Sequence, residues 1–366
     1  MFEPAYLVLE DGRVFHGEAV GARGVALGEV VFNTSMTGYQ EILTAPSFAG
    51  QIVAMTYPLV GNCGAIAGHG ESSRPQAAGV VVRELSRTAS NRRAEESLGS
   101  YLERHGVIGL TGVDTRALAR HLRSNGTMRA AIATADVPVA EALERAREHA
   151  REEELDLVRA VTTPEPYDIP AVGEERCRVL VYDFGIKAKS LRLLVERGCR
   201  LTVIPAWTAA ETVLDGPAPD GLLLSNGPGN PEAISHVHDV IREFGRQGIP
   251  IFGICLGHQL IARAFGGETY KLHHGHRGGN HPVRRLEDGR VEITSQNHGF
   301  AVRGGKGDEV AGAPALRVTH VSLNDGTIEG LAHREFPVFS VQYHPASAPG
   351  PHDSLYLFDR FVALMA

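Results

Sequence analysis

From residue 176 onward the chain alternates short apolar runs with amphipathic ones: CRVLVYDFG, KAKSLRLLVERG, CRLTVIPA, GLLLSNGPG, a further helical stretch, then IPIFGI and another helix. Short buried strands alternating with helices leave few architectures open. They predict an open, mostly parallel sheet with helices on both faces, whose ligands bind at the carboxyl ends of the strands. The first hundred residues read differently, as β-rich runs (YLVLEDG, GEVVFN, QIVAMTYP, AAGVVVREL) broken by Gly, Pro and Asn, which predicts a mixed β-rich α/β domain. Between them, Asp114 or Thr115 can cap a helix ending near Asn125-Gly126, and residues 139–161 carry the mixed charge of one or two solvated helices. The stretch TTPEPYDIPAVGEE, residues 162–175, reads as a linker, which gives domains at 1–165 and 176–366.

Charge and cysteine usage remove several classes of function. With 36 basic against 43 acidic residues the net charge is −7, and no basic patch stands out for nucleic acid. The acidic N-terminus lacks a signal-peptide pattern, and no run approaches the roughly 18 apolar residues of a membrane span. Four unpaired Cys fit a reducing, cytoplasmic compartment.

The sharpest local signal is IPIFGICLGHQLIARAFGG, residues 249–267. An apolar strand runs into Gly253-Ile254-Cys255-Leu256-Gly257 and a helix follows, the layout of a nucleophile elbow with Cys in place of Ser. The helix macrodipole predicts a low-titrating, nucleophilic Cys255 thiolate, and the Leu256 N–H can hold an oxyanion. Cys63, Cys177 and Cys199 have no such setting and read as structural. His344, after the strand-like VFSVQY, is a possible imidazole partner at the end of another strand. Residues 225–231 (SNGPGNP) and 295–300 (SQNHGF) read either as site-forming loops or as turns. The His-rich segment 273–281 lacks metal-ligand spacing and reads as a polar turn, so no metal is expected.

Taken in order, SNGPGNP, GICLGHQ, GGNHPV, SQNHGFAV and QYHP resemble a class I, triad-type glutamine amidotransferase domain. The N-terminal VFNTSMTGYQEILTAPS, TYPLVGN, ASNRR and GVDTRAL resemble the carbamoyl phosphate synthetase small-chain family in particular. The resemblance implies a glutaminase in which Cys255 attacks the carboxamide of L-glutamine and His344 serves as general base and acid. It implies an oxyanion hole from the N–H groups of Gly227 and Leu256, and glutamine contacts at Ser47, Gly227, Gly229, Leu256, Gln259, Asn297, Gly299 and Phe300. Spacing independently supports Gln259, which lies four residues after Cys255 on the same helix face.

The resemblance further implies that domain 1–165 contacts a partner and completes the glutamine pocket. Ammonia would pass to a large synthetase chain, which makes carbamoyl phosphate from bicarbonate and ATP for arginine and pyrimidine synthesis, in a heterodimer or higher oligomer. No phosphate-binding Gly-x-x-x-x-Gly-Lys-Ser/Thr loop occurs here, so this chain is expected to hold no cofactor of its own. One position departs from the family pattern His-Pro-Glu: this chain reads His344-Pro345-Ala346, and alanine cannot accept a hydrogen bond. The expectation is a Cys255–His344 dyad with reduced glutaminase activity, helped by Ser347 or a backbone carbonyl. Two alternatives remain: a catalytically impaired subunit that binds and stabilises the large chain, and a free-standing amidase or peptidase with no need of the N-terminal domain.

Overall fold

A computed structural model describes residues 3–151, 154–346 and 350–366. The chain forms two compact units, Met1–Leu155 with His273–Gly278, and Asp156–Leu272 with Gly279–Ala366.

The first unit contains β1 (Pro4–Leu9), β2 (Val14–Gly21), β3 (Val25–Asn33), β4 (Gln51–Met55), β5 (Leu59–Val60), β6 (Gly79–Val81), β7 (Glu84–Leu85), β8 (Ile108–Thr111) and β9 (Met128–Thr134). Seven of these close into a barrel in the order β1-β2-β8-β6-β4-β3-β9, while β5 and β7 pair separately. Period-two burial on both faces explains why the sheet closes. Along β1, Ala5, Leu7 and Leu9 join one core with Val30, Ile52 and Ile132, whereas Tyr6 and Val8 join another with Ala142 and Ala146 of the helix Val139–Glu148. The Asp114 carboxylate caps the helix Thr115–Asn125 by accepting the Ala117 N–H at 2.9 Å, and Gly126 ends it.

The second unit contains β10 (Tyr167–Ile169), β11 (Cys177–Asp183), β12 (Cys199–Pro205), β13 (Gly221–Leu224), β14 (Ile251–Ile254), β15 (Thr269–Arg285), β16 (Val291–Val302), β17 (Leu316–Ser322), β18 (Ile328–His333) and β19 (Val338–Val341). They form one sheet in the order β10-β12-β11-β13-β14-β19-β18-β17-β15-β16. The block β12-β11-β13-β14-β19 is parallel, and antiparallel strands extend it on both sides. Alternate residues enter separate cores on the two faces. Val181, Leu223 and Phe252 pack with Phe358 and Phe361 of the helix Tyr356–Ala363, while Tyr182, Leu222 and Ile251 pack with Ile241 and Phe244 of the helix His238–Arg246.

Two sequence expectations are corrected. The proline-rich stretch 162–175 does not join the units but lies inside the second, where Tyr167–Ile169 adds the antiparallel edge strand β10. Its prolines, Pro164, Pro166 and Pro170, flank that strand and so take no backbone donor from its ladder. The His-rich segment is no turn: it runs within β15, with left-handed backbone at Gly275 (φ 66) and Gly278 (φ 157), and residues 273–278 belong to the first unit. Its glycines interrupt a strand rather than reverse it. Cys177 and Cys199 occupy facing positions on β11 and β12 with their sulfurs 3.3 Å apart, and burial pushes both thiols up. No helix among the described residues is long and apolar enough to cross a membrane.

Candidate active site

The carboxyl ends of the central parallel strands carry Gly227, Cys255 and His344, and β16 brings Asn297 beside the Cys255 sulfur. Cys255 follows β14 directly and caps the helix Leu256–Ala264; its φ of 53° makes it the single non-glycine residue with positive φ among the described residues. Such strain persists only where the surroundings enforce it. The Cys255 N–H donates to the Val341 carbonyl of β19 at 2.9 Å, and the Gly257 N–H donates to the Ser225 carbonyl at 3.1 Å. The flanking glycines let these backbones meet. A Cβ on Gly257 would lie 2.2 Å from the Leu224 carbonyl oxygen, and one on Gly253 would lie 2.7 Å from the Gly257 oxygen.

Gly227, after β13, packs against the same elbow, since a Cβ there would stand 2.8 Å from Leu256 Cδ2. Gly229, two residues on, has φ 83. On β16, the Asn297 carbonyl accepts from the Cys255 thiol at 3.6 Å. The Asn297 side-chain amide is buried, and neither its Oδ1 nor its Nδ2 has a hydrogen-bond partner among the described residues. Gly299 and Phe300 continue that strand, and the Phe300 carbonyl accepts from Gln259 Nε2 at 3.0 Å. His344 follows β19, and its N–H donates to the Ser295 carbonyl of β16 at 2.8 Å. Ser47 sits buried on a short turn of helix, Pro46–Phe48, in the first unit.

The loop carrying His344 is anchored from β16 at both ends. The Glu292 carboxylate, fully buried, accepts from the Tyr343 hydroxyl at 3.3 Å and from Ser354 Oγ at 2.7 Å, with Arg285 3.7 Å away. Asp353 accepts from the Ile293 N–H at 2.9 Å. Ala346 is buried in the apolar core, and Ser347 lies outside the described residues.

Two residues that the sequence reading passed over belong to this constellation. Lys187, buried four residues after β11, acts on both Cys255 and His344: its charge favours the Cys255 thiolate and opposes a charged His344. Its signal was available, because a lysine at the carboxyl end of a parallel strand stands where ligands bind. Gln342, two residues before His344, places Nε2 3.7 Å from Cys255 Sγ.

The electrostatics overturn the expectation of a low-titrating thiol. Burial pushes Cys255 up to about 12, outweighing the Leu256 N–H, the Lys187 charge and the Gln342 amide, each of which favours the thiolate. Burial, followed by Lys187, holds His344 well below the usual imidazole range, against a hydrogen bond to the Asn297 backbone. At neutral pH the resting pair is therefore thiol and neutral imidazole, because a helix N-terminus cannot offset complete desolvation of the sulfur.

Comparison with known proteins gives the class first. The family model for glutamine amidotransferase class-I matches residues 180–364, which contain Cys255 and His344. A second model, carbamoyl-phosphate synthase small chain, CPSase domain, matches residues 7–132. Over 373 residues the chain is 52% identical to the carbamoyl phosphate synthase small chain of Syntrophotalea carbinolica, covering 99% of this chain and 97% of that relative. It is 50% identical over 380 residues to the small chain of Escherichia coli O6:H1, covering 100% and 98%. The Symbiobacterium thermophilum small chain is 52% identical over 365 residues, covering 98% and 97%. The chain belongs to the carbamoyl phosphate synthase small chain family, as a glutaminase subunit. The match at 7–132 sets aside a free-standing amidase, which has no need of that domain.

Proposed function

We propose that Cys255 is the nucleophile and His344 the proton carrier of glutamine hydrolysis. On approach of the carboxamide carbon of L-glutamine, the thiol proton moves to the neutral imidazole as the carbon–sulfur bond forms. The N–H groups of Gly227 and Leu256 hold the oxyanion, and His344 returns the proton to the departing ammonia. Water, deprotonated by His344, then cleaves the glutamyl thioester to glutamate and free thiol. Gly229, Gln259, Asn297, Gly299 and Phe300 bind glutamine; the Asn297 amide, without a partner among the described residues, offers a donor and an acceptor to a bound substrate. Ammonia passes to a large synthetase chain, which uses bicarbonate and ATP, and the assembly is a heterodimer or a higher oligomer of heterodimers in the cytoplasm. The observation that carries this reading is the strained elbow, which holds Cys255 at φ 53 between β14 and the helix Leu256–Ala264, its thiol against the Asn297 carbonyl.

Alanine at 346 leaves the imidazole without the expected side-chain acceptor. We assign the positioning of the imidazole to β16, whose Ser295 carbonyl accepts the His344 main-chain N–H and which holds the loop from both ends. The test is glutamine hydrolysis by the purified chain with its large chain, beside Cys255→Ser and Ala346→Glu. The native protein turns over glutamine, Cys255→Ser abolishes it, and Ala346→Glu raises kcat about tenfold, short of the roughly 10⁴ a third member supplies in a serine triad. No turnover in the native protein, restored by Ala346→Glu, would mean a non-catalytic partner subunit.

A further inference from the structure

Gln342 is fully buried, and its N–H donates to the Glu329 carbonyl at 2.9 Å, which fixes the main chain beside the site. Its side chain has two neighbours: Gln259 Nε2 lies 3.1 Å from Gln342 Oε1, and Gln342 Nε2 lies 3.7 Å from Cys255 Sγ. Which end of each amide is nitrogen follows from the acceptors. The Phe300 carbonyl can only accept, so the end of Gln259 that meets it at 3.0 Å is the NH2 group. The same nitrogen reaches Gln342, whose near atom must then be oxygen. That leaves the Gln342 NH2 to face the sulfur. Reversed, an amide oxygen would oppose negative charge on the sulfur.

We propose that Gln342 is a catalytic residue of glutamine hydrolysis, donating to the Cys255 sulfur as negative charge gathers on it, with Gln259 as the positioning residue that orients it. This rests on Cys255 as the nucleophile. An amide neither gives up nor takes the reacting proton, so Gln342 lowers the energy of the thiolate while the proton still moves to His344. In a dry site such a donor counts for more than in water. It matters particularly here, where position 346 brings no carboxylate to favour a charged imidazole and the sulfur end must carry more of the charge separation. Gln259 is constrained as well. Its nitrogen serves Phe300 and Gln342, so it meets glutamine through Oε1, as an acceptor suited to an ammonium or amide N–H of the substrate.

The test uses the full chain with its large chain and reads Cys255 directly. Iodoacetamide alkylation of the Cys255 peptide is followed by mass spectrometry at fixed pH, with Cys255→Ser as the blank. Below the thiol's pKa the rate follows the thiolate fraction, so loss of a charge-assisted hydrogen bond in Gln342→Leu slows alkylation about 10- to 100-fold. The kcat for glutamine falls by a similar factor, with KM within about twofold. Gln342→Glu keeps the size and the acceptor for Gln259 but loses the donor, and it slows alkylation equally. Native alkylation rates in folded Gln342→Leu or in Gln342→Glu would overturn the proposal; if Gln342→Leu does not fold, Gln342→Glu decides. Slowed alkylation without glutamine turnover in the native protein would overturn Cys255 as nucleophile, and this proposal with it. Native turnover with unchanged alkylation in the variants would overturn this proposal alone.

Discussion

Replacing Gly257 with alanine tests whether the elbow's backbone contact sets the reactivity of the site. The added Cβ would sit 2.2 Å from the Leu224 carbonyl oxygen and 2.7 Å from Leu224 Cβ. Ordinary contact needs about 1 Å more, and Leu224 cannot retreat, because it is paired with Gly253 in the middle of the sheet. The helix Leu256–Ala264 must move instead, carrying the sulfur two residues away with it. Overpacking of this kind costs about 1–3 kcal/mol, which lowers the melting temperature by several degrees in a unit of this size. A misplacement of about 1 Å costs on the order of 100-fold in rate. The assay is kcat/KM for glutamine alongside thermal melting. Gly99→Ala serves as the control, because its Cβ would meet its nearest neighbours at an ordinary 3.5 Å. Native kcat/KM and native melting in Gly257→Ala would refute the reasoning.

Two further outcomes follow from the buried polar groups. Glu292→Ala strands the Tyr343 and Ser354 hydroxyls beside Arg285 and is expected to cost about 3–5 kcal/mol, seen as a lower denaturation midpoint; an unchanged midpoint would show that the carboxylate does not anchor the His344 loop. Burial lowers His258 to about 3 and His320 to about 4 and holds His344 well below 6.5, so the unfolded chain binds protons that the folded one refuses. Their contribution to stability is complete above pH 6.5 and is lost as pH falls toward 4, at up to about 4 kcal/mol per pH unit for the three. Urea midpoints at pH 7, 6 and 5 check the sign, and a flat profile would contradict it.

The elbow was legible from the sequence because Gly-Ile-Cys-Leu-Gly between an apolar strand and an amphipathic helix admits few backbones, and the parallel block followed from the same alternation. Gln342 was not legible. Its segment QYHP was singled out for His344, but the part proposed for Gln342 depends on a neighbour one strand away, which the segment itself does not show. The thiol's titration was misjudged for a related reason: the helix N-terminus is visible in sequence, whereas the extent of burial is a property of the assembled core. The prolines of 162–175 read as a linker because a sequence shows where pairing is interrupted, not that one free edge remains to accept Tyr167–Ile169.

Cys255 and His344 follow strands that lie side by side in the sheet, β14 and β19, yet 89 residues of chain separate them. The strand leading to the imidazole follows β15 to β18 in the chain, yet it enters the middle of the sheet, between β14 and β18. Without that strand the elbow would lack its Val341 tether. The geometry of the elbow is thus a property of the completed sheet rather than of its own segment.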